Sequence, residues 1–176
     1  MPTKSTPTRY GSVAIAIHWI SALLVIAALA GGLVMGNSTD PATRSMILPV
    51  HASLGILALV LTLGRIAWWV WGDRRPEPAP GMPKLQEWAA SAVHILLYLV
   101  ILLLAASGIA TLALSGAIPA ILSGAALPDF SGLLPRLAHG LGGRLLLVLL
   151  IAHIGAALWH QFVKRDRLLA RMGIGG

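Results

Sequence analysis

Four long apolar runs, at about 11–35, 48–71, 87–115 and 137–163, leave this chain one main way to fold. A helix needs about 20 apolar residues to cross a hydrocarbon layer about 30 Å thick, and each run reaches that length. In lipid every backbone N–H and C=O must be satisfied within the segment, which selects helices over isolated strands. The wider composition agrees: 57% of residues are hydrophobic and only 11% charged, with a mean hydropathy of +0.82. A soluble domain of this length carries more surface charge. The expected architecture is therefore all-α, an integral membrane four-helix transmembrane bundle in the lipid bilayer, forming a single domain over 1–176. The first run is too long for a signal-peptide core and carries His18 early, so no cleavable leader is expected.

The connector at 72–84 holds four prolines and several charges and reads as a short polar loop. The connector at 116–135 is mildly apolar and could rest at the membrane surface as a lid. No internal repeat or low-complexity tract is visible. The formal charge of +7 does not mark a nucleic-acid binder, because the basic residues flank apolar runs instead of forming a stripe. Lys4, Arg9, Arg65, Arg74, Arg75, Lys84, Lys164, Arg165, Arg167 and Arg171 fall on one side of the predicted bundle, and Arg44, Arg136 and Arg144 on the other. That imbalance predicts both termini in the cytoplasm. Trp68, Trp69, Trp71 and Trp159 near span ends suit an interfacial aromatic belt. The absence of cysteine rules out disulfides, iron–sulfur clusters and thiolate-linked or c-type haem.

The chemistry lies in six histidines, all in or at the edge of the spans: His18, His51, His94, His139, His153 and His160. An intramembrane histidine is costly unless partnered and is read first as functional. His139 and His153 stand fourteen residues apart, which on a helix puts both rings on one face about 21 Å apart along the axis. The bland alternative is interhelical hydrogen bonding. With alternating helix direction, His51 and His139 share one depth on the non-cytoplasmic side, while His18, His94, His153 and His160 lie toward the cytoplasm. Two depths on different helices make a plausible ligand set for two bis-histidine haems, since bundle cores are where such sites are built. Spacing alone does not choose among the four inner candidates. Zinc sites and di-iron centres usually recruit cysteine or carboxylate, which the spans almost lack. Gly55, Gly140, Gly142 and Gly143 follow the outer histidines and could open a slot for a flat macrocycle; close helix packing explains them equally well.

Arginines add a second line. Arg65, fourteen residues after His51, could reach a propionate of an inner haem through a charge-assisted bond. Arg44, Arg136 and Arg144 surround the outer pair, where they could serve propionates and make a positive spot attracting an anion. Interfacial snorkelling accounts for each of them as well.

These residues resemble the bacterial di-haem cytochrome b561 family along nearly the whole chain. The matching pattern runs Arg9-Tyr10, Ala16-Ile17-His18-Trp19, His51-Ala52-Ser53-Leu54-Gly55 with Arg65, and Gly81-Met82-Pro83 in the proline loop. It continues through His94-Ile95-Leu96-Leu97-Tyr98, Ser107-Gly108, His139-Gly140-Leu141-Gly142, His153, His160-Gln161-Phe162-Val163-Lys164-Arg165-Asp166 and Leu169-Ala170-Arg171-Met172. The resemblance implies two haem b groups, one held by His18 and His153 on the cytoplasmic side and one by His51 and His139 on the periplasmic side. It implies propionate contacts for Arg65 and Arg144, and quinone and proton handling by His94 and His160. Gln161 departs from a second histidine common in relatives. The implied location is the bacterial inner membrane.

The leading functional expectation is electron transfer between the periplasmic face and the membrane quinone pool. Some family members resemble superoxide:ubiquinone oxidoreductases; in that reading Arg44 and Arg136 steer the anion and His94 and His160 serve ubiquinone. The alternative is a cytochrome b membrane-anchor subunit relaying electrons for a partner dehydrogenase or hydrogenase, although the short tails and loops offer little docking surface. A proton-relay transporter would call for broken helices with intramembrane carboxylates, and the sequence offers none.

Overall fold

The computed structural model describes residues 2–175. The chain is all-helical, with four helices long and apolar enough to cross a membrane. Helix α1 covers Ser12–Asn37, α2 Pro41–Ala67, α3 Lys84–Ser115, the short α4 Ala117–Ser123, and α5 Leu134–Trp159. Both α2 and α5 close in π-helical turns, Trp68–Gly72 and His160–Lys164. A short 3-10 turn, Leu168–Met172, is the last helical element among the described residues.

Helix α2 starts at Pro41, seven residues before the apolar run that marks it in the sequence. The cause is a polar cap. Asp40 accepts hydrogen bonds from the amides of Ala42 and Thr43 and from the Thr43 hydroxyl at 2.6 Å, and Pro41 supplies the fixed φ favoured at a first helical position. The Thr43 hydroxyl and these amides hold the Asp40 carboxyl below the usual carboxylate range. Helix α3 stops at Gly116, whose φ of 68° is open to glycine at little cost. The 116–135 connector is thus partly helical, and a second left-handed glycine, Gly124, ends α4.

The chain forms two antiparallel hairpins, α1 with α2 and α3 with α5, joined chiefly where α2 packs on α3. All four long helices feed one small core of Val25, Ala58, Val100, Leu146 and Leu149. Leu23, Val60, Leu103, Val148 and Ile151 point outward and are exposed, as a bundle solvated by lipid requires.

At the end carrying both termini, three segments are tied together. The Arg171 guanidinium donates to the carbonyls of Thr8, Pro7 and Glu77. Ser5 donates to Asp73 from both its amide and its hydroxyl, and the Trp19 indole donates to the Met172 carbonyl. The N-terminal segment, the proline loop and the C-terminal turn are therefore pinned together at that end of the bundle.

Candidate functional site

At the end opposite the termini, His51 on α2 and His139 on α5 face each other with ring centres 5.8 Å apart. Each ring is oriented from a neighbouring helix. His51 Nδ1 lies 2.8 Å from the Ala28 carbonyl of α1, and His139 Nδ1 lies 2.9 Å from the Leu104 carbonyl of α3. A carbonyl can only accept, so Nδ1 carries the proton and Nε2 keeps its lone pair for a ligand. Metal-binding imidazoles are commonly oriented this way. Ser107 adds a hydroxyl 3.2 Å from His139 Nδ1.

Glycine makes room for both rings. A Cβ on Gly32 would stand 3.1 Å from His51 Cε1, and one on Gly108 would stand 3.1 Å from His139 Cε1. One turn past each histidine, Gly55 and Gly143 open onto empty space. They line a cavity of about 1320 Å³ that also contains both rings, Arg44, Arg136, Arg144 and the 126–133 loop as its roof. Small-molecule pockets commonly run to about 300–1,000 Å³, so a macrocycle fits. Gly140 borders the same cavity. Gly142 does not serve as part of the slot: its Cβ would meet Leu104 at 3.1 Å, so it permits close α3–α5 packing instead.

The spacing of the rings tests the fit to a shared iron. Two imidazoles facing each other across one metal have ring centres about 6.4 Å apart, from a nitrogen–metal bond of about 2.0 Å and about 1.2 Å from nitrogen to ring centre on each side. The outer pair at 5.8 Å falls slightly short of that. Toward the other end, His18 on α1 and His153 on α5 meet it at 6.3 Å. His94 on α3 stands only 5.1 Å from His153, too close for a metal held in line between the two rings, and its Nδ1 bonds the Ala90 carbonyl of its own helix at 2.6 Å. His18 Nδ1 and Arg65 Nε are buried with no hydrogen-bond partner. An orphaned guanidinium N–H is suited to a carboxylate. The Arg65 guanidinium lies over the Tyr98 ring at 5.6 Å, one turn past His94.

His160 lies apart from this cluster. It is buried, its Nδ1 is 2.5 Å from Asp166 Oδ2, and its ring contact is with Trp159. It borders a separate cavity of about 170 Å³ with Gly81, Met82, Gln86 and Lys164. Among the described residues no ring contact joins His160 to His94, the two histidines assigned one role from the sequence.

The arginines at the outer end also have company that composition concealed. Arg44 is exposed and donates from Nε to the Ser38 carbonyl at 2.8 Å, while Arg136 is half-buried and Arg144 exposed on the cavity wall. Asp129, from the roof loop, shares that wall. Hydrogen bonds from the Ser131 hydroxyl and amide, then the charge of Arg44, hold its carboxyl below the usual range. The positive spot is thus tempered by one carboxylate. Sequence reasoning missed Asp129, Asp166, Gly32 and the Ala28 and Leu104 carbonyls. Only the glycine in an apolar run and Asp166, amid basic residues, left any signal.

The family described as prokaryotic cytochrome b561 matches residues 9–175. The chain is 32% identical over 183 residues to cytochrome b561 homolog 2 of Escherichia coli (strain K12), covering 98% of this chain and 95% of that protein. It is 31% identical over 177 residues to cytochrome b561 homolog 1 of the same organism, at 93% and 96% coverage. It is 32% identical over 170 residues to a cytochrome b562 of Cereibacter sphaeroides, at 93% and 94% coverage. No solved structure matches the chain. With a family match that spans nearly all of its length, and relatives covered almost end to end, the chain belongs to the prokaryotic cytochrome b561 family, multi-pass membrane proteins that carry electrons through haem b.

Proposed function

We propose that the protein holds two haem b groups, passes electrons across a bacterial inner membrane, and acts as a superoxide:ubiquinone oxidoreductase. His51 and His139 would hold the periplasmic-side haem, His18 and His153 the cytoplasmic-side one. The observation that carries this is the pair of ring spacings at two levels, 5.8 and 6.3 Å, each near the value for two imidazoles on one iron. Haem b, when bound, supplies a reversible one-electron couple at each level.

The protein's own groups do the rest. Arg144 on the outer cavity wall and Arg65 at the inner level, with its unpartnered Nε, bond propionates. Arg44 and Arg136 attract an anion to the outer cavity. Each superoxide gives up an electron and leaves as dioxygen. Ubiquinone gains an electron and a proton at each carbonyl oxygen, so the inner end needs proton donors. His94, beside His153, is one; His160, bonded to Asp166 near the surface, is placed to recharge from the cytoplasm. The ten-to-three division of basic residues supports cytoplasmic termini.

The test is stopped-flow mixing of the purified protein with superoxide and ubiquinone while the haem absorption is followed. Rapid reduction, then reoxidation by quinone with no other subunit present, is the expected result. Reduction only in the presence of a dehydrogenase or hydrogenase subunit would replace this reading with the membrane-anchor one.

A further inference from the structure

The two hairpins share more than a shape. Moving 76 residues along the chain carries His18 to His94, the Ala28 carbonyl to that of Leu104, and Gly32 to Gly108. Ala14/Ala90, Leu23/Leu99 and Ala30/Ala106 are identical under the same shift. A shift of 88 carries His51 to His139 and Gly55 to Gly143, and Leu57/Leu145, Val60/Val148, Ile66/Ile154 and Trp71/Trp159 are again identical. The structural roles travel with the residues. In each hairpin the first helix supplies a carbonyl and, one turn on, a glycine that seat the histidine of the second. The Cβ clearance at Gly32 and Gly108 is the same 3.1 Å. Each second helix also ends in a π-helical turn. The two shifts differ by twelve residues because α4 and the roof loop lengthen the second connector, which hides the repeat from any search at one fixed period.

We propose that the bundle is a tandem repeat of one ligand-bearing hairpin, and that Arg65 stands at the inner ligand position of the first copy, opposite His153. Under the shift of 88 Arg65 is the counterpart of His153. Helices α2 and α5 run in the same direction, so advancing fourteen residues from the facing pair His51/His139 on both reaches Arg65 and His153. The Arg65 guanidinium lies over the Tyr98 ring, one turn past His94, which puts it at that inner level. A cation cannot ligate iron, so the inner macrocycle takes His18 from α1 as its second ligand, and Arg65 is the positioning residue that sends it there. This rests on the di-haem reading above.

The experiment measures haem per chain and the ferric low-spin EPR signals in purified full-length variants. His18→Ala should halve the haem content, and Arg65→His added to it should restore about a full complement with a low-spin inner signal. Adding His153→Ala to that double variant should remove the signal again. A content that stays halved while the outer signal reports a folded bundle overturns the proposal, as does a rescue that survives loss of His153. If His18→Ala and His153→Ala each keep every haem, the inner-ligand reading fails instead, and the repeat is judged on its glycines. Gly32→Ala and Gly108→Ala should then lower outer haem content by matching amounts. Losses that differ by more than about threefold would show the two copies to be inequivalent.

Discussion

The outer and inner histidine pairs solve one problem in different ways. The outer pair draws on two like positions, His51 and His139, each held by a carbonyl from a neighbouring helix and relieved by a glycine. The inner pair draws on unlike positions, His18 and His153, with a third imidazole 5.1 Å from one of them and, at the same level, an arginine whose buried Nε has no hydrogen-bond partner. His18 Nδ1 has no partner to orient it. A pre-oriented, symmetric clamp is suited to holding a cofactor still. A crowded, asymmetric one keeps spare proton-carrying groups beside the cofactor, which an electron acceptor that also takes up protons requires.

The comparison breaks most sharply at the ligands. His51→Ala or His139→Ala should remove the outer haem completely and leave the inner absorption and EPR signals in place, because the two levels are about 21 Å apart along the helices. Loss of both signals from either variant would mean that the clamps fold as one unit. Ser107→Ala should cost far less, since His139 keeps its Leu104 carbonyl.

Charge sharpens the contrast at the outer mouth. Arg44→Gln with Arg136→Gln should slow reduction by superoxide about tenfold at low ionic strength and flatten its salt dependence, because attraction between the arginine cations and the anion fades beyond a Debye length of about 10 Å at 0.1 M. Quinone reduction rates at the inner end should not change. An unaltered superoxide rate would show that the anion is admitted by access alone.

How much of this was legible beforehand follows from what each feature is made of. The spans were legible because lipid permits few alternatives to long apolar helices. The early start of α2 was not, because the Asp40-Pro41 cap lies in a polar stretch that hydropathy discards. His51 and His139 could be paired by depth alone. His18 could not be chosen over His94, because both lie at like positions of their helices and only the ring distances, 6.3 and 5.1 Å to His153, separate them. The carbonyls of Ala28 and Leu104 are invisible to any reading of side chains. Gly142 reads equally as a slot or a packing residue, because a glycine that admits a cofactor and one that admits a neighbouring helix look alike in sequence, and only the Leu104 contact decides for packing. Depth puts His160 with all the inner histidines and only the family resemblance pairs it with His94, while the Asp166 that claims it lies beyond the end of the span.

The smallest effect tests whether the outer mouth is tuned or merely positive. Asp129→Asn removes the one carboxylate on the wall that Arg44, Arg136 and Arg144 share, so superoxide should react about twofold faster at low salt, with the gain vanishing as salt is raised. The pH dependence has a definite sign. Ser131 and Arg44 favour the charged form of Asp129, so its folded pKa lies below the unfolded one. Its contribution to stability is therefore fully present above the ordinary aspartate value of about 3.9, and is lost as pH falls through the lowered folded value. Thermal melting of the wild type should accordingly exceed that of Asp129→Asn by a constant margin from neutrality down to about pH 5, and the two curves should converge only in stronger acid. No margin at any pH would mean that Asp129 is unpaired in the folded protein, and that the roof loop does not hold it against Arg44.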